Sequence, residues 1–298
     1  MNVSAIIPFY NTPIQWTESA INSIQQQTVG CDLELIVVDD CSSPGFQRPL
    51  KEFMKTLSDP STLLRLPRNA GRSAAVNRGV EIAQGSHVLL LDADDMVVDG
   101  GIQKAINVIG DNALAFSDHT KYSTDLSTPI YVRKKASAMH YHAMFKGTVN
   151  DPLWHMSFPG HIQLINKDAY EAIDGFNSQV KLGEDLDFLQ RLAELSKDVN
   201  FVHIPESLHI YRMAPGSVSN CGKWKSQPVA VIEDMLRRNG VQASVLPGRK
   251  LGPYENTFFD FVKDGRVARV PYVDYRADTL IGLGNDETEI KEKPAYVA

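Results

Sequence analysis

The sequence predicts an α/β fold in which a mostly parallel sheet carries helices on both faces. Three observations lead to this prediction. In the first 120 residues, short apolar runs alternate with amphipathic helical segments, a pattern typical of strands that are buried on both faces. The most polar spots of this half fall at the ends of the apolar runs. The chain of 298 residues is 43% hydrophobic and 22% charged, a composition that supports a globular core.

The elements of the first half follow one another in a regular order. Strands are predicted where apolar residues are continuous, and helices where they recur at i, i+3 and i+4. The predicted strands are 3–9, 33–38, 62–66, 87–91 and 113–117, and the predicted helices are 14–27, 46–57 and 72–83. Thr12 is predicted to cap the first helix, with Pro13 at its first position.

The second half has weaker periodicity. It predicts strands at 163–165, 201–204 and 208–211 and helices at 167–173, 185–195 and 227–238. After about residue 245 the pattern changes to β, and Asp264-Gly265 between two apolar runs (258–262 and 267–272) is a hairpin signal. We therefore predict a main domain over 1–240, with halves 1–120 and 121–240, and a β-rich C-terminal extension with a tail over 241–298.

Composition disfavours several classes of protein. Lys and Arg number 30 against 36 Asp and Glu, a formal net charge of −6, which disfavours binding to nucleic acid. No apolar run reaches the roughly 18 residues of a membrane span, and residues 1–9 lack the basic leader of a signal peptide. Three cysteines without a CxxC pair favour a reducing compartment. We therefore expect a cytoplasmic protein, free or peripheral to a membrane.

Two carboxylates one residue apart, Asp92 and Asp94, follow the apolar strand predicted at 87–91. Oxygen ligands of this kind suit Mg²⁺ or Mn²⁺, which usually take one or two carboxylates together with substrate phosphates. The alternative is a turn or a helix cap before Gly101. The crowding of acids at a strand end favours a cation site.

Other polar residues at strand and helix ends have two interpretations each. Asp39 could bind a ribose or a base edge, whereas Asp40 fits a cap for the turn that follows. Gly71 and Arg72 open a helix whose N-terminus attracts anions, although a plain loop-to-helix junction explains them equally well. Glu184 and Asp185 also begin a helix, either as N-terminal acids or as a general base, and the pattern does not separate the two.

Together these residues resemble the inverting nucleotide-sugar glycosyltransferases of family 2, which have the GT-A fold. The resemblance runs from about residue 3 to residue 219, and the order and spacing of its motifs are specific. The motifs are AIIPFYN at 5–11, LIVVDDCS at 35–42, NAGRSAAVN at 69–77, LLDADD at 90–95, DGF at 174–176, GEDLDF at 183–188 and YR at 211–212.

The resemblance implies a role for each matched residue. A nucleotide-diphosphate sugar, with UDP favoured, is the expected donor, and residues 1–120 are the nucleotide-binding half. The residues expected to line the nucleotide are Pro8, Tyr10, Asn11, Asp39, Asn69, Gly71, Arg72 and Asp92. Asp94 is expected to bind Mn²⁺ or Mg²⁺ directly, with Asp92 beside the metal. Asp185, with Glu184 next to it, is expected to be the general base that takes the proton from an acceptor hydroxyl.

One position departs from the family pattern. Many relatives carry a metal-binding histidine where this chain has Ala214, which leaves three alternatives: His209 completes the metal site, water completes it, or metal binding is weak. Ala214 also keeps a non-catalytic nucleotide-sugar-binding protein as an alternative. A sugar-nucleotidyltransferase is a weaker alternative, because the turn at 10–13 has no glycine. The acceptor (a glycan, a lipid, a protein or a small molecule) and the oligomeric state stay open.

Overall fold

The structure is a computed structural model. It describes residues 2–57, 60–133, 161–181, 183–195 and 201–215, four helical positions (231, 234, 237 and 238), and the strand residues 242–246, 250–251, 254–255, 257–263 and 266–272. The predicted tail after residue 272 and most of the predicted helix at 227–238 lie outside the described residues. No helix in the described ranges is long and apolar enough to cross a bilayer.

A nine-stranded sheet forms the centre of the fold. Its strands are β1 (Val3–Phe9), β2 (Leu33–Asp39), β3 (Ser61–Arg65), β4 (His87–Leu90), β5 (Met96–Val97), β6 (Leu114–Tyr122), β7 (Pro129–Arg133), β8 (His161–Asn166) and β9 (Phe201–Arg212). The helices are α1 (Ile14–Gln25), α2 (Pro44–Met54), α3 (Arg72–Ile82), α4 (Gly101–Ile109), α5 (Lys167–Ala172) and α6 (Glu184–Glu194).

The sheet is parallel in its first half and mixed in its second. The strand order is β3-β2-β1-β4-β8-β6-β9-β5, with β7 paired to β6. Strands β1 to β4 are parallel to one another, which confirms the predicted α/β class. β8 runs antiparallel between β4 and β6, and β5 runs antiparallel on β9. The expectation of a mostly parallel sheet therefore holds for the first half only.

Two apolar layers cover the two faces of this sheet. Ile6 and Ile36 point to the face that α3 and α6 cover, and their neighbours Ile7 and Val37 point to the face of α1, α2 and α4. The alternation follows from the two-residue period of side chains along a strand. Because helices cover both faces, the polar ends of the central strands are the open part of the sheet.

Several predicted boundaries differ from the structure. Pro13, not Thr12, is the N-cap residue of α1. The two strands predicted between 201 and 211 are one strand, β9, which continues through Pro205 because its register against β6 shifts there. The short strands β5 and β7 were missed, since they are too brief to show a period.

The C-terminal part is β structure, as predicted. The antiparallel pair β13 (Thr257–Lys263) and β14 (Arg266–Tyr272) confirms the predicted hairpin. A strand that was not predicted, β10 (Gln242–Leu246), joins β13 on its other edge, and β11 (Lys250–Leu251) pairs with β12 (Tyr254–Glu255).

Candidate functional site

Four parallel strands bring the predicted polar residues to one edge of the sheet. In the register, Phe9 lies beside Asp39, and Asp39 lies beside Arg65. β4 ends on the other side of β1, where Leu90 pairs with Ile6, and the acids at 92–95 follow. Sheets of this kind bind ligands beyond the carboxyl ends of their strands.

Asp39 is held at this edge by two neighbours. Its carboxylate is only 1% exposed, and Oδ1 accepts a hydrogen bond from Ser42 N at 2.8 Å. Oδ2 forms an ion pair with Arg65, whose Nη2 also donates to Ser42 O at 3.0 Å. Arg65 was missed in the sequence, and the signal that could have found it is its place opposite Asp39 at the end of β3.

Asp40 holds the loop before α3. Its two carboxylate oxygens accept hydrogen bonds from Ala70 N and Gly71 N, both at 2.7 Å. The expected cap for the turn after β2 is therefore Asp39, through Ser42, and not Asp40. Gly71 has φ +93°, a region that favours glycine, so the loop reaches Asp40 without strain and places Arg72 at the start of α3.

The acidic turn, residues 92–95, lies between Arg72 and β9. Arg72 Nε donates to Asp92 Oδ1 at 2.7 Å. Asp95 is buried, where its Oδ2 lies 2.8 Å from His209 Nε2 and its Oδ1 accepts from Arg212 N at 2.9 Å. Burial raises the pKa of Asp95, and His209 opposes that rise.

Asp94, like Asp95, lies in surroundings that disfavour its charged form. Burial, together with the charges of Asp95 and Asp92, raises the pKa of the Asp94 carboxyl to about 7. Such crowding of carboxylates favours either a proton or a bound cation. The acidic turn therefore has the electrostatic character of a cation site.

Arg212 fastens the acidic turn to the rest of the site. Its Nε donates to Asp94 O at 2.8 Å, and its Nη1 donates to Thr124 O at 2.7 Å. The guanidinium also lies over the Trp16 ring, with Cζ 5.2 Å from the centroid. The sequence motif included Arg212 but assigned it no role. Its contacts depend on the pairing of β5 with β9, which local periodicity does not reveal.

The first turn of α6 brings further acids toward Arg72. The helix follows Gly183, which has φ +80°. Burial, and then the charge of Asp185, raises the pKa of Glu184 to about 7. Burial alone would lower the pKa of the Arg72 guanidinium. The negative charges of Asp92, Glu184 and Asp185 outweigh the effect of burial and raise the Arg72 pKa. Arg72 thus lies within the electrostatic reach of both the acidic turn and the start of α6.

The remaining predicted residues lie around the ends of β1 and β3. Pro8 is half-buried in β1 beside Val38, and Tyr10 is 50% exposed at the strand end. Asn11 connects to the next loop, because its N donates to Ser42 Oγ at 3.0 Å and its Oδ1 accepts from Ser43 N at 2.9 Å. Asn69 is exposed in the loop before α3.

Few side chains of the described residues could act as ligands of a metal ion. Within the described ranges no group of three or more His, Cys, Asp or Glu side chains could hold a metal ion. Asp92 and Asp94 offer two hard oxygen donors, the type that Mg²⁺ and Mn²⁺ prefer. Nε2 of His209 is engaged by Asp95, and Ala214 is buried and brings no donor atom. These residues fit a metal that takes its other ligands from substrate and water.

Comparisons with known proteins identify the family of this chain. The sequence model of a family described as Glycosyl transferase family 2 matches residues 4–174, more than half of the chain. TuaG of Bacillus subtilis, a putative teichuronic acid biosynthesis glycosyltransferase, is 28% identical over 224 residues, covering 75% of this chain and 83% of TuaG. GgaB of the same organism, a minor teichoic acid biosynthesis protein, is 28% identical over 216 residues, covering 70% of this chain.

Some of these relatives are much longer than this chain. The chain covers 23% of GgaB and 28% of y4gI from Sinorhizobium fredii, which is 25% identical over 272 residues. The crystal structure of S. aureus TarS 1–349 in complex with UDP-GlcNAc has a TM-score of 0.57 at 18% identity, covering 72% of this chain and 60% of TarS 1–349. This likeness confirms the expected GT-A-like fold. By the family match, the chain belongs to glycosyl transferase family 2.

Proposed function

We propose that the chain transfers a sugar from a nucleoside-diphosphate sugar to an acceptor hydroxyl. The observation that carries this proposal is the position of Arg72, which contacts Asp92 directly and lies within the field of Glu184 and Asp185. A cationic side chain between an acidic turn and a second pair of acids suits a reaction in which a diphosphate leaves while a hydroxyl loses its proton.

The donor is proposed to lie along the edge from Tyr10 to the acidic turn. Exposed Tyr10 offers a ring for the base, and Asp39 offers carboxylate oxygens for the base or ribose. Asp92 and Asp94 would hold Mn²⁺ or Mg²⁺, which when bound would supply positive charge to the diphosphate. TarS structures contain UDP-GlcNAc and UDP, which favours a UDP-sugar, and UDP-GlcNAc is the first donor to test.

The acceptor is proposed to lie at the start of α6. Asp185 takes the proton of the acceptor hydroxyl as its oxygen attacks the anomeric carbon. The bond between that carbon and the diphosphate oxygen breaks, the diphosphate leaves with the electron pair, and a single displacement inverts the anomeric configuration. Arg72 offsets the charge that develops on the leaving diphosphate. The names of TuaG and GgaB favour a growing glycan as the acceptor.

Donor binding tests this proposal without knowledge of the acceptor. Thermal unfolding is measured with UDP-GlcNAc, UDP, GDP and dTDP, each with and without Mn²⁺. A ligand at 100 times its Kd stabilises the native state by about 2.7 kcal/mol, so one nucleotide should raise the Tm by several degrees. Asp94→Ala should remove the part of the shift that depends on Mn²⁺, because it removes a metal ligand.

Asp99→Ala is the matched control, since Asp99 is an exposed acid four residues after Asp95. It should keep the full shift. No shift with any nucleotide would contradict the proposed donor site, and an equal shift in Asp94→Ala would contradict the metal assignment alone.

A further inference from the structure

A tight turn at residues 173–176 lies between α3 and α6 and is bound to both helices. On the α3 side, the Asn77 side chain makes two hydrogen bonds to the backbone of Phe176. Asn77 Nδ2 donates to Phe176 O at 2.8 Å, and Phe176 N donates to Asn77 Oδ1 at 2.9 Å. The Asn77 amide thus provides hydrogen-bond partners for both the backbone N–H and the backbone carbonyl of Phe176.

The packing around this amide leaves no spare room. Tyr170 Oη also donates to Asn77 Oδ1, at 2.5 Å. Gly175 has φ +63°, and a Cβ at that position would lie 2.6 Å from Tyr170 Cε1 and 2.8 Å from Asn77 Oδ1. A side chain at position 175 would therefore displace the Asn77 and Tyr170 side chains that hold the turn against α3.

On the other side, the turn is bound to α6. The Phe176 ring stacks on the Phe188 ring, with centroids 4.3 Å apart and planes 8° apart. Arg191 Nη1 donates to Ile173 O at 2.7 Å. Phe188 is three residues after Asp185, so the contact lies about one helical turn from the proposed base.

The same turn also touches the donor side of the site. Arg72 Cζ lies 5.7 Å from the centroid of the Phe176 ring. Arg72 and Asn77 are both on α3, whereas Glu184 and Asp185 are on α6. We propose that Asn77 is a positioning residue that sets the first turn of α6, and hence Asp185, relative to Arg72 and Asp92. The catalytic part of this inference rests on the proposed function, but the contact network does not.

Loss of the Asn77 amide should loosen α6 while α3 keeps Arg72 in place. Asn77→Ser removes both hydrogen bonds to Phe176, and Val80→Ala is the control, because it truncates a buried residue of the same helix that contacts the core. Amide hydrogen exchange of residues 187–190 is measured for both variants, because these N–H groups make the first hydrogen bonds of α6, beginning with Asp187 N to Gly183 O. We expect the exchange rate to rise about tenfold in Asn77→Ser. In Val80→Ala, measured the same number of degrees below its own Tm as the wild type, the exchange rate should stay at the wild-type value.

Steady-state release of UDP from UDP-GlcNAc gives the catalytic readout. Displacement of a reacting group by about 1 Å can cost a factor of about 100 in rate, so kcat should fall by about 10- to 100-fold in Asn77→Ser. The KM for UDP-GlcNAc and the Kd of UDP should stay within about twofold, since the donor contacts are on α3 and the acidic turn. Tyr170→Phe, which removes one donor to Asn77 and keeps the ring, should give a smaller change in the same direction.

The results separate this inference from the proposed function. Unchanged exchange at 187–190 in both Asn77→Ser and Tyr170→Phe, or a kcat loss no larger than that of Val80→Ala, would overturn the positioning role. A rise in exchange together with full activity of Asp185→Asn would overturn its catalytic part, because Asp185 would then not be the base. If Asn77→Ser does not fold, the exchange and kcat of Tyr170→Phe decide the matter.

Discussion

At the scale of single residues, buried acids define this site. The carboxylate oxygens of Asp40 accept hydrogen bonds from the loop before α3, and those of Asp39 contact Ser42 N and Arg65, so these contacts fix the loops around the edge that we propose for the nucleotide. At Asp94 and Glu184, burial and neighbouring carboxylates outweigh the opposing charges of Arg212 and Arg72 and raise the pKa of each carboxyl to about 7. Groups with strongly shifted pKa values inside a cleft are candidates for function.

The shift at Glu184 predicts how stability depends on pH. Because its pKa in the folded state is higher than its ordinary value, the folded state binds the proton more tightly than the unfolded state does. The stabilisation is therefore complete below the ordinary pKa of about 4.3, and it is lost as pH rises toward about 7. We expect metal-free wild-type protein to be less stable at pH 8 than at pH 5, and Glu184→Gln to show a smaller decrease.

Urea unfolding in EDTA at pH 5, 6, 7 and 8 measures this dependence. Glu81→Gln, at an exposed position of α3, is the control and should keep the wild-type decrease. A Glu184→Gln profile with the same slope as wild type would show that Glu184 does not titrate in this window.

At the scale of elements, β9 supports the acidic turn. His209 contacts the Asp95 carboxylate through its ring. Arg212 donates to the same carboxylate through its backbone N–H and to the Asp94 carbonyl through its guanidinium. α6 is supported by the turn at 173–176, on the opposite side of Arg72. The two groups of acids therefore take their positions from different elements, and each can be displaced separately.

Arg212→Lys tests the support of the acidic turn. A lysine ammonium lacks the planar fork that reaches Asp94 O, Thr124 O and the Trp16 ring together. We expect the Mn²⁺-supported affinity for UDP to fall about tenfold and the free energy of unfolding to fall by about 1–2 kcal/mol. Isothermal titration calorimetry with UDP and Mn²⁺ measures the first quantity, and Arg78→Lys on the surface of α3 is its control. Equal affinities for the two variants would contradict this support.

Elements and site residues differ in how far the sequence predicts them. The runs that became β1, β2 and β4 were predictable because strands covered on both faces are continuously apolar. β5, β7 and β10 were not, since they are edge or very short strands held by pairing. Asp92, Asp94 and Asp185 could be proposed from motifs, whereas the contacts of Arg65, Asn77 and Arg212 arise only when distant segments meet.

At the scale of the whole molecule, the sheet separates two tasks. Its parallel half ends in the nucleotide edge, and its mixed half carries β9 and leads to α6. The acidic turn and Arg72 lie where the two halves meet, which is where we propose that donor and acceptor react. The chain covers about a quarter of the length of relatives such as GgaB and y4gI, so its acceptor and partners belong to the proposal.

The most direct test of the account is the rate at which Asp185→Asn releases nucleoside diphosphate from the donor that binds best. Asn has nearly the same shape as Asp but does not take a proton at neutral pH. The account predicts a loss of at least about 1,000-fold in kcat, within the range by which acid–base catalysis accelerates reactions, with donor affinity within about twofold of wild type. Release at the wild-type rate would contradict the proposed base, and loss of both activity and donor binding would show that Asp185 is structural.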